Sequence, residues 1–451
     1  MENKVVLVYD KLNHPNCSKE RFNHSLAEIQ PAHYIAKGMD TPEDSVFDLV
    51  DGIEKTARVY YSGIADKFDR CELKSLDDKA LGGDTMYCYI LEPFGGLGNF
   101  LGQNDNYTTG ALEDLGEEVI AKLTKLDNFY VLIAYPHEAT VGEGELHAMH
   151  KSIDKTPITP EKVIFMMNRN WSIVEKYEKM CSLNNINSKL NLIFFDYFLY
   201  EKGEESNENN FYSNREFLKQ KRNNKIVCLN RRLINRWHRM LILAMAHRDN
   251  LLKQNLISFN FQFEGEKIHY RSKPIGSKTY ITKDEFKTNI EILQKQGKRV
   301  IDEVNMDIIS GFRFEDSKTY TDSYISFITE TMFFEDVNFM TEKSLKPLIH
   351  FHPFVIVGRP GTLECLRSMG FKTFSDYWDE SYDDTVNNTE RFKKIYDLFL
   401  KFNNMTFDEL HSLYLELIPI LEHNFELISK YGVEKQLGYD KLISDIYQCI
   451  K

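Results

Sequence analysis

At 451 residues the chain is too long for one ordinary core, so two domains with additions are expected. Charged residues make up 27% and the apolar set 42%, the balance of a folded globular protein and not of a disordered or fibrous one. A net charge of −12 argues against a generally basic nucleic-acid binder, although it leaves room for a local basic groove. The seven cysteines are odd in number and scattered with no C-x-x-C among them, which reads as reduced thiols, without a disulfide frame or zinc site. The longest apolar runs, such as 130–134 and 354–357, are far short of a membrane span. The opening MENKVVLVYD reads as a first strand and not as a secretion signal, so a cytoplasmic location is expected.

Short β-rich runs alternate with helical patterns from the start. Strands are predicted at 4–9, 86–91, 129–134, 162–167 and 192–195, with helices at 111–126 and 171–183 between the later ones. Alternation of this kind predicts an α/β fold with a parallel sheet covered on both faces. The stretch 201–225, EKGEESNENNFYSNREFLKQKRNNK, is polar, Asn-rich and almost free of apolar periodicity, and it is read as a linker. The alternation then resumes with strands at 225–229 and 257–261, helices at 235–247 and 283–296, strand 324–329, helix 341–350, strand 354–357 and helix 362–369. From about 388 the pattern is helical to the end. The expected organisation is an N-terminal Rossmann-like domain over 1–215, a C-terminal Rossmann-like domain over 216–400, and helices over 401–451 that pack back on the body. Two such sheets imply a cleft in which ligands of open α/β sheets bind.

The stretch FMTEKSLKPLIHFHPFVIVGRPG (339–361) carries the most chemistry. Thr341 is an acceptable N-cap with Glu342 in the first turn, and Pro347 is expected to kink or end the helix. A short capped helix with an acidic residue on its dipole explains this much. The functional reading has Lys343 hold a diphosphate while Glu342 accepts hydrogen bonds from a ribose. Gly358 and Gly361 allow close backbone approach to a ligand or, equally, serve a turn.

Other segments supply candidates. KQKRNNKIVCLNRRLINRWHR (219–239) holds Lys219, Lys221, Arg222, Lys225, Arg231, Arg232, Arg236 and Arg239 with no acidic residue. Asn230, Arg231 and Arg232 fall at a strand's carboxyl end, where an α/β domain binds phosphate, and Arg engages two phosphate oxygens at once. A solvated helix face and contact with nucleic-acid phosphates are the other readings of this segment. Gly95, Gly96 and Gly98 follow a strand, but the G-G-x-G spacing lacks the third glycine of a dinucleotide loop. That loop is read as a cleft wall or acceptor loop, and an NAD-dependent enzyme is a third reading that would need bound nicotinamide cofactor there. After the strand at 129–134 come His137, Glu138, Glu143, Glu145, His147 and His150, placed where a general base would sit. A metal site is the competing idea, though no H-E-x-x-H is present. A polar loop leading into a helix is the plain one.

SYISFITET (323–331) followed by FMTEKSLKPLIHFHPFVIVG (339–358) resembles the donor motif of GT-B glycosyltransferases of the α1,3-fucosyltransferase type. LRSMGFKTFSDYWDESYDD (366–384) is similar to a segment of glycosyltransferases from bacteriophages and large viruses. The resemblance covers roughly 225–395. It implies two Rossmann-like domains of GT-B type and transfer of a sugar from a nucleotide-diphosphate donor to a hydroxyl acceptor. It also implies an inverting, metal-independent reaction with no cofactor beyond the nucleotide sugar. It gives Glu330 and Glu342 contacts to donor hydroxyls and Lys343 the diphosphate; Arg231, Arg232, Asn230, Thr341 and Gly358 join the donor site on their positions in the sequence. On position after the strand at 129–134, a carboxylate among Glu138, Glu143 and Glu145, or His137, is read as the base. The chain departs from the fucosyltransferase pattern at Thr331, Met332 and 346–352. The acidic run 376–384 superficially resembles a D-x-D metal signature but lacks its context, and is read as cleft-lining or structural. The implied acceptor is a glycan or a modified base, with hydroxymethylcytosine in DNA the alternative that the phage-like segment favours. A binding module for nucleotide sugars without turnover is the alternative from another class.

Overall fold

The computed structural model describes residues 5–9, 59–60, 72–75, 85–93, 97, 101, 112–113, 115–136, 141–169, 172–208, 215–230, 233, 236–261, 281–301, 317–334 and 339–448. The chain divides into two compact units, one of Met1–Tyr197 with Gln436–Lys451, the other Phe198–Lys435.

Among the described residues, the first unit has six parallel strands: β1 (Val5–Tyr9), β3 (Glu72–Ser75), β4 (Met86–Pro93), β5 (Phe129–Tyr135), β6 (Val163–Met167) and β7 (Asn191–Phe194). Their order is β3-β1-β4-β5-β6-β7, and β2 (Val59–Tyr60) adds an antiparallel pairing at the end of β4. Parallel strands covered on both faces need continuous apolar sequence. FYVLIAY and VIFMM supply it, and both strands are buried throughout. Its described helices include α1 (Glu117–Lys125), α2 (Glu143–Ile153) and α3 (Ile173–Leu183). The first begins later than the expected 111, at Gly116 as N-cap with Glu117 and Glu118 in the opening turn.

The second unit carries a four-stranded parallel sheet: β8 (Asn224–Cys228), β9 (Leu256–Ile257), β12 (Ser323–Thr329) and β13 (Phe354–Val357), in the order β13-β12-β8-β9. A small antiparallel ribbon pairs β10 (Phe259–Asn260) with β11 (Lys298–Arg299). Helix α4 (Tyr197–Glu208) leads in, and α5 (Trp237–Arg248), α6 (Lys283–Gln296), α7 (Ser317–Thr321), α8 (Glu342–Ile349), α9 (Thr362–Ser368), α10 (Asn388–Asn404) and α11 (Phe407–Val433) follow. The last helix, α12 (Lys435–Gln448), falls almost wholly within the first unit. In α5 every residue from His238 to Ala246 is buried, as expected of a helix apolar nearly all round. Pro347 does not end α8, which runs two residues further. The N–H groups of His350 and His352 then both donate to the Pro347 carbonyl, at 3.2 and 3.0 Å.

The expected linker is a structured segment for much of its length. Residues 201–208 belong to α4, Arg215–Lys219 form a 3-10 turn, and β8 begins at Asn224. Its contacts explain why apolar periodicity does not betray it. A Cβ added at Gly203 would lie 2.4 Å from the Gly432 nitrogen, so α4 and α11 touch backbone to backbone. Ser206 Oγ sits 2.9 Å from Ser429 Oγ, and Asn207 Nδ2 donates to the Ser429 carbonyl at 2.9 Å. Among the described residues, no helix is long and apolar enough to cross a membrane.

Candidate functional site

In the second sheet the chain runs from β8 to β9 on one side and later to β12 on the other. The sheet therefore changes direction between β8 and β12, and the carboxyl ends flanking such a point are where open α/β sheets bind ligands. Asn230 lies just past β8 and Glu330 just past β12. Thr329 Oγ1 donates to Asn230 Oδ1 at 2.8 Å and ties the two ends together, while the Asn230 N–H donates to Ser258 Oγ at 2.9 Å.

Glu330 is 1% exposed and its carboxylate is occupied from within the protein. One oxygen accepts from the Thr341 N–H at 3.1 Å, Thr341 Oγ1 at 3.0 Å and Ser344 Oγ at 2.6 Å. The other accepts from the Thr331 N–H at 2.9 Å and also lies 2.9 Å from Thr341 Oγ1. Thr341 caps α8 by accepting from the Lys343 N–H at 3.2 Å. Glu330 thus fixes the start of α8 against the end of β12. Its carbonyl is held in turn by His238 Nε2 at 2.7 Å and Arg239 Nη2 at 3.3 Å, both from α5. Burial, aided by the Arg239 charge, keeps the His238 imidazole neutral, so its Nε2 carries the proton that it donates.

Glu342 is differently placed. It is 8% exposed, and Lys343 Nζ meets its Oε1 at 2.6 Å. Among the described residues no donor reaches Oε2, so this carboxylate keeps an acceptor open. Burial alone would raise its pKa, but Lys343, Lys346 and Lys202 outweigh that and hold it at about 2. A fixed, ionised, half-satisfied carboxylate beside an ammonium group at a helix start can take a hydroxyl or N–H donor and an anion side by side. Gly358 ends β13 across from this point. A Cβ there would crowd Ile356 Cγ2 at 3.2 Å, while Glu330 Cβ, at 3.5 Å, would be in ordinary contact. Gly361 has φ of 80° at the N-cap of α9, which is turn chemistry.

Arg231 and Arg232 lie outside the described residues, as do His137, Glu138, Gly95, Gly96 and Gly98. Five of the six described cations of 219–239 are engaged separately. Arg222 is buried over the Tyr414 ring at 3.8 Å and donates to the Tyr320 and Ser323 carbonyls. Lys225 donates to the Asn403 carbonyl at 2.6 Å, and Arg239 is buried under the end of β12. Lys221 pairs at the surface with Asp408, and Lys219 with Glu216.

The acidic run 376–384 is largely structural. Asp383 accepts from the Leu363 and Glu364 N–H groups and caps α9. Glu380 accepts from Thr373 Oγ1 and the Phe374 N–H, and Trp378 stacks on Phe374 at 4.7 Å.

In the first unit, Glu143 is exposed on the opening turn of α2, and Glu145 accepts the Gly142 N–H at 2.9 Å, a capping contact. His150 is buried, its Nε2 2.8 Å from Tyr177 Oη, which itself accepts from the Leu190 N–H. The two side chains make a core pair in which burial lowers the imidazole's pKa. Among the described residues, no group of three His, Cys, Asp or Glu side chains is placed to hold a metal.

No protein-family model and no curated protein matches the sequence. Among solved structures, the chain is similar to the N-terminal domain of trehalose-6-phosphate phosphatase from Candida albicans. Identity is 8% over 81% of this chain and 72% of that one, with a TM-score of 0.40. It is also similar to α,α-trehalose 6-phosphate synthase from Burkholderia multivorans, at 9% identity over 95% of this chain and 81% of that one, with a TM-score of 0.39. Likeness at this level carries no activity to the present chain.

Proposed function

We propose that the protein is a glycosyltransferase of GT-B type that moves a sugar from a nucleotide-diphosphate donor to a hydroxyl acceptor. The observation that carries the reading is the open Oε2 of buried, ionised Glu342 beside Lys343, at the turning point of a parallel sheet. In this reading Glu342 accepts donor hydroxyls and Lys343 takes the diphosphate. Asn230, Glu330, Thr341 and Gly358 build the frame, and Arg231 and Arg232 add charge from the segment after β8. Saturated as it is, Glu330 acts through Thr341 and Ser344 and is a positioning residue.

In the transfer step the acceptor oxygen bonds to the anomeric carbon as the bond from that carbon to the phosphate oxygen breaks. The acceptor's proton passes to a carboxylate, and the nucleoside diphosphate leaves with the electron pair. Glu143 is the first candidate for that base, because it is exposed and bears no capping contact, with Glu145, Glu138 and His137 after it. The Gly95–Gly98 loop would line the acceptor side. The net charge of −12 and the separate engagement of Lys221, Arg222 and Lys225 favour a neutral saccharide acceptor over hydroxymethylated DNA.

Calorimetric titration of GDP and of UDP into the protein and its Lys343→Ala variant tests the site. One nucleotide should bind the wild type, with a loss of about tenfold or more in the variant. Unchanged affinity in the variant, or no binding of either nucleotide, refutes the assignment. Slow donor hydrolysis separates an enzyme from a binding module that only holds the donor.

A further inference from the structure

Helix α8 carries a second cation on the face that holds Glu342 and Lys343. Lys346 stands four residues after Glu342 and three after Lys343, which puts the three side chains side by side on one face. The neighbouring helix adds another. Phe198, in the first turn of α4, packs on Phe339 just before α8, with ring centroids 6.2 Å apart. Lys202 follows Phe198 by one turn on the same face, is 1% exposed, and is ion-paired with Glu205. Lys343, Lys346 and Lys202 all act on the Glu342 carboxylate. Burial, and next the Lys202 charge, push the Lys346 ammonium down to about 8, with Lys343 adding to the effect and Glu342 and Glu205 opposing it. Ammonium groups crowded in this way gain most from an anion with charge on more than one centre.

We infer that Lys346 is a second phosphate-contacting cation of the site and that, with Lys343, it makes the site selective for a nucleoside diphosphate over a monophosphate. One helical turn separates the two stems, about 5 Å along the axis, which their flexible chains can close over adjacent phosphoryl groups. The inference rests on the proposed donor site and adds a residue to it.

The test is titration of GDP, UDP, GMP, UMP and inorganic pyrophosphate into wild type, Lys346→Met and Lys346→Arg. Methionine keeps the apolar stem, so the variant's thermal midpoint serves as a folding control. Lys346→Met should lose about tenfold in affinity for diphosphate and pyrophosphate while monophosphate affinity stays within about twofold, and Lys346→Arg should recover most of the loss. An unchanged ratio of diphosphate to monophosphate affinity in Lys346→Met overturns the inference, as does equal loss for both ligand classes. If the wild type binds the diphosphates and Lys343→Ala weakens them while Lys346→Met does not, the donor site stands and the role of Lys346 alone fails. If the wild type binds none of these ligands, both fail.

Discussion

Two glutamates twelve residues apart do different work because of what surrounds their oxygens. Glu330 is saturated by Thr331, Thr341 and Ser344, so removing its charge weakens the pairing of buried donors. Glu330→Gln should cost roughly 1.5–3 kcal/mol in urea unfolding, the scale of a buried hydrogen bond to a charged group, and weaken nucleotide binding only through the displaced helix start. Glu342 offers a pH signature. Its folded pKa of about 2 lies below its ordinary 4.5, so the native state holds the proton more weakly than the unfolded chain. That stability is full above 4.5 and is lost as pH falls toward 2. At pH 3 about a unit and a half of the difference is gone, or about 2 kcal/mol. Glu342→Gln should therefore lose about 2 kcal/mol less than wild type between pH 7 and pH 3 in urea titrations. Equal losses would mean that the surrounding lysines do not hold this carboxylate ionised.

Among the elements, the crossing of α4 and α11 is the most exacting contact. A Cβ at Gly432 would lie 2.1 Å from the Gly203 carbonyl oxygen, so Gly432→Ala forces the helices apart. A loss of about 1–3 kcal/mol is expected, as for overpacking. Gly144 in α2 has nothing within 4 Å of an added Cβ. There Gly144→Ala should stabilise by about 0.5–1 kcal/mol, and thermal midpoints of the two variants should move in opposite directions. The same crossing shows what was legible in the sequence. Strands β5, β6, β8, β12 and β13 could be read because each is a short apolar run closed by polar or turn residues. Helix α4 could not, since it packs through Gly203, Ser206 and Asn207 and lacks an apolar stripe. Glu342 and Lys343 were visible as a motif. The saturation of Glu330 and the approach of Lys202 to Glu342 were not, because they depend on which distant segments the sheet order brings together.

For the whole molecule, the basic segment at 219–239 decides less than its composition suggested. Three of its cations serve the interior of the second unit and two are neutralised at the surface. A duplex reader that contacts about six phosphates would lose affinity with a slope near −5 on a log–log salt plot. We expect no such slope, and no labelled sugar in hydroxymethylcytosine DNA. A steep slope together with sugar incorporation would make DNA the acceptor. If transfer to a saccharide is found, Glu143→Gln should lower kcat by about 10² to 10⁴ with little change in donor affinity, as loss of a general base does. Full turnover in that variant would move the role to Glu145, Glu138 or His137.

A nucleoside diphosphate is expected at the turning point of the second sheet, on Glu342 and Lys343. A crystal structure of the protein with the tighter of GDP and UDP at saturating concentration tests it most directly. A ribose or base donor is expected within hydrogen-bond reach of Glu342 Oε2 and phosphate oxygens on Lys343 Nζ, with Glu330 still bound to Thr341 and Ser344. A nucleotide seated elsewhere, or no nucleotide at that concentration, would contradict it.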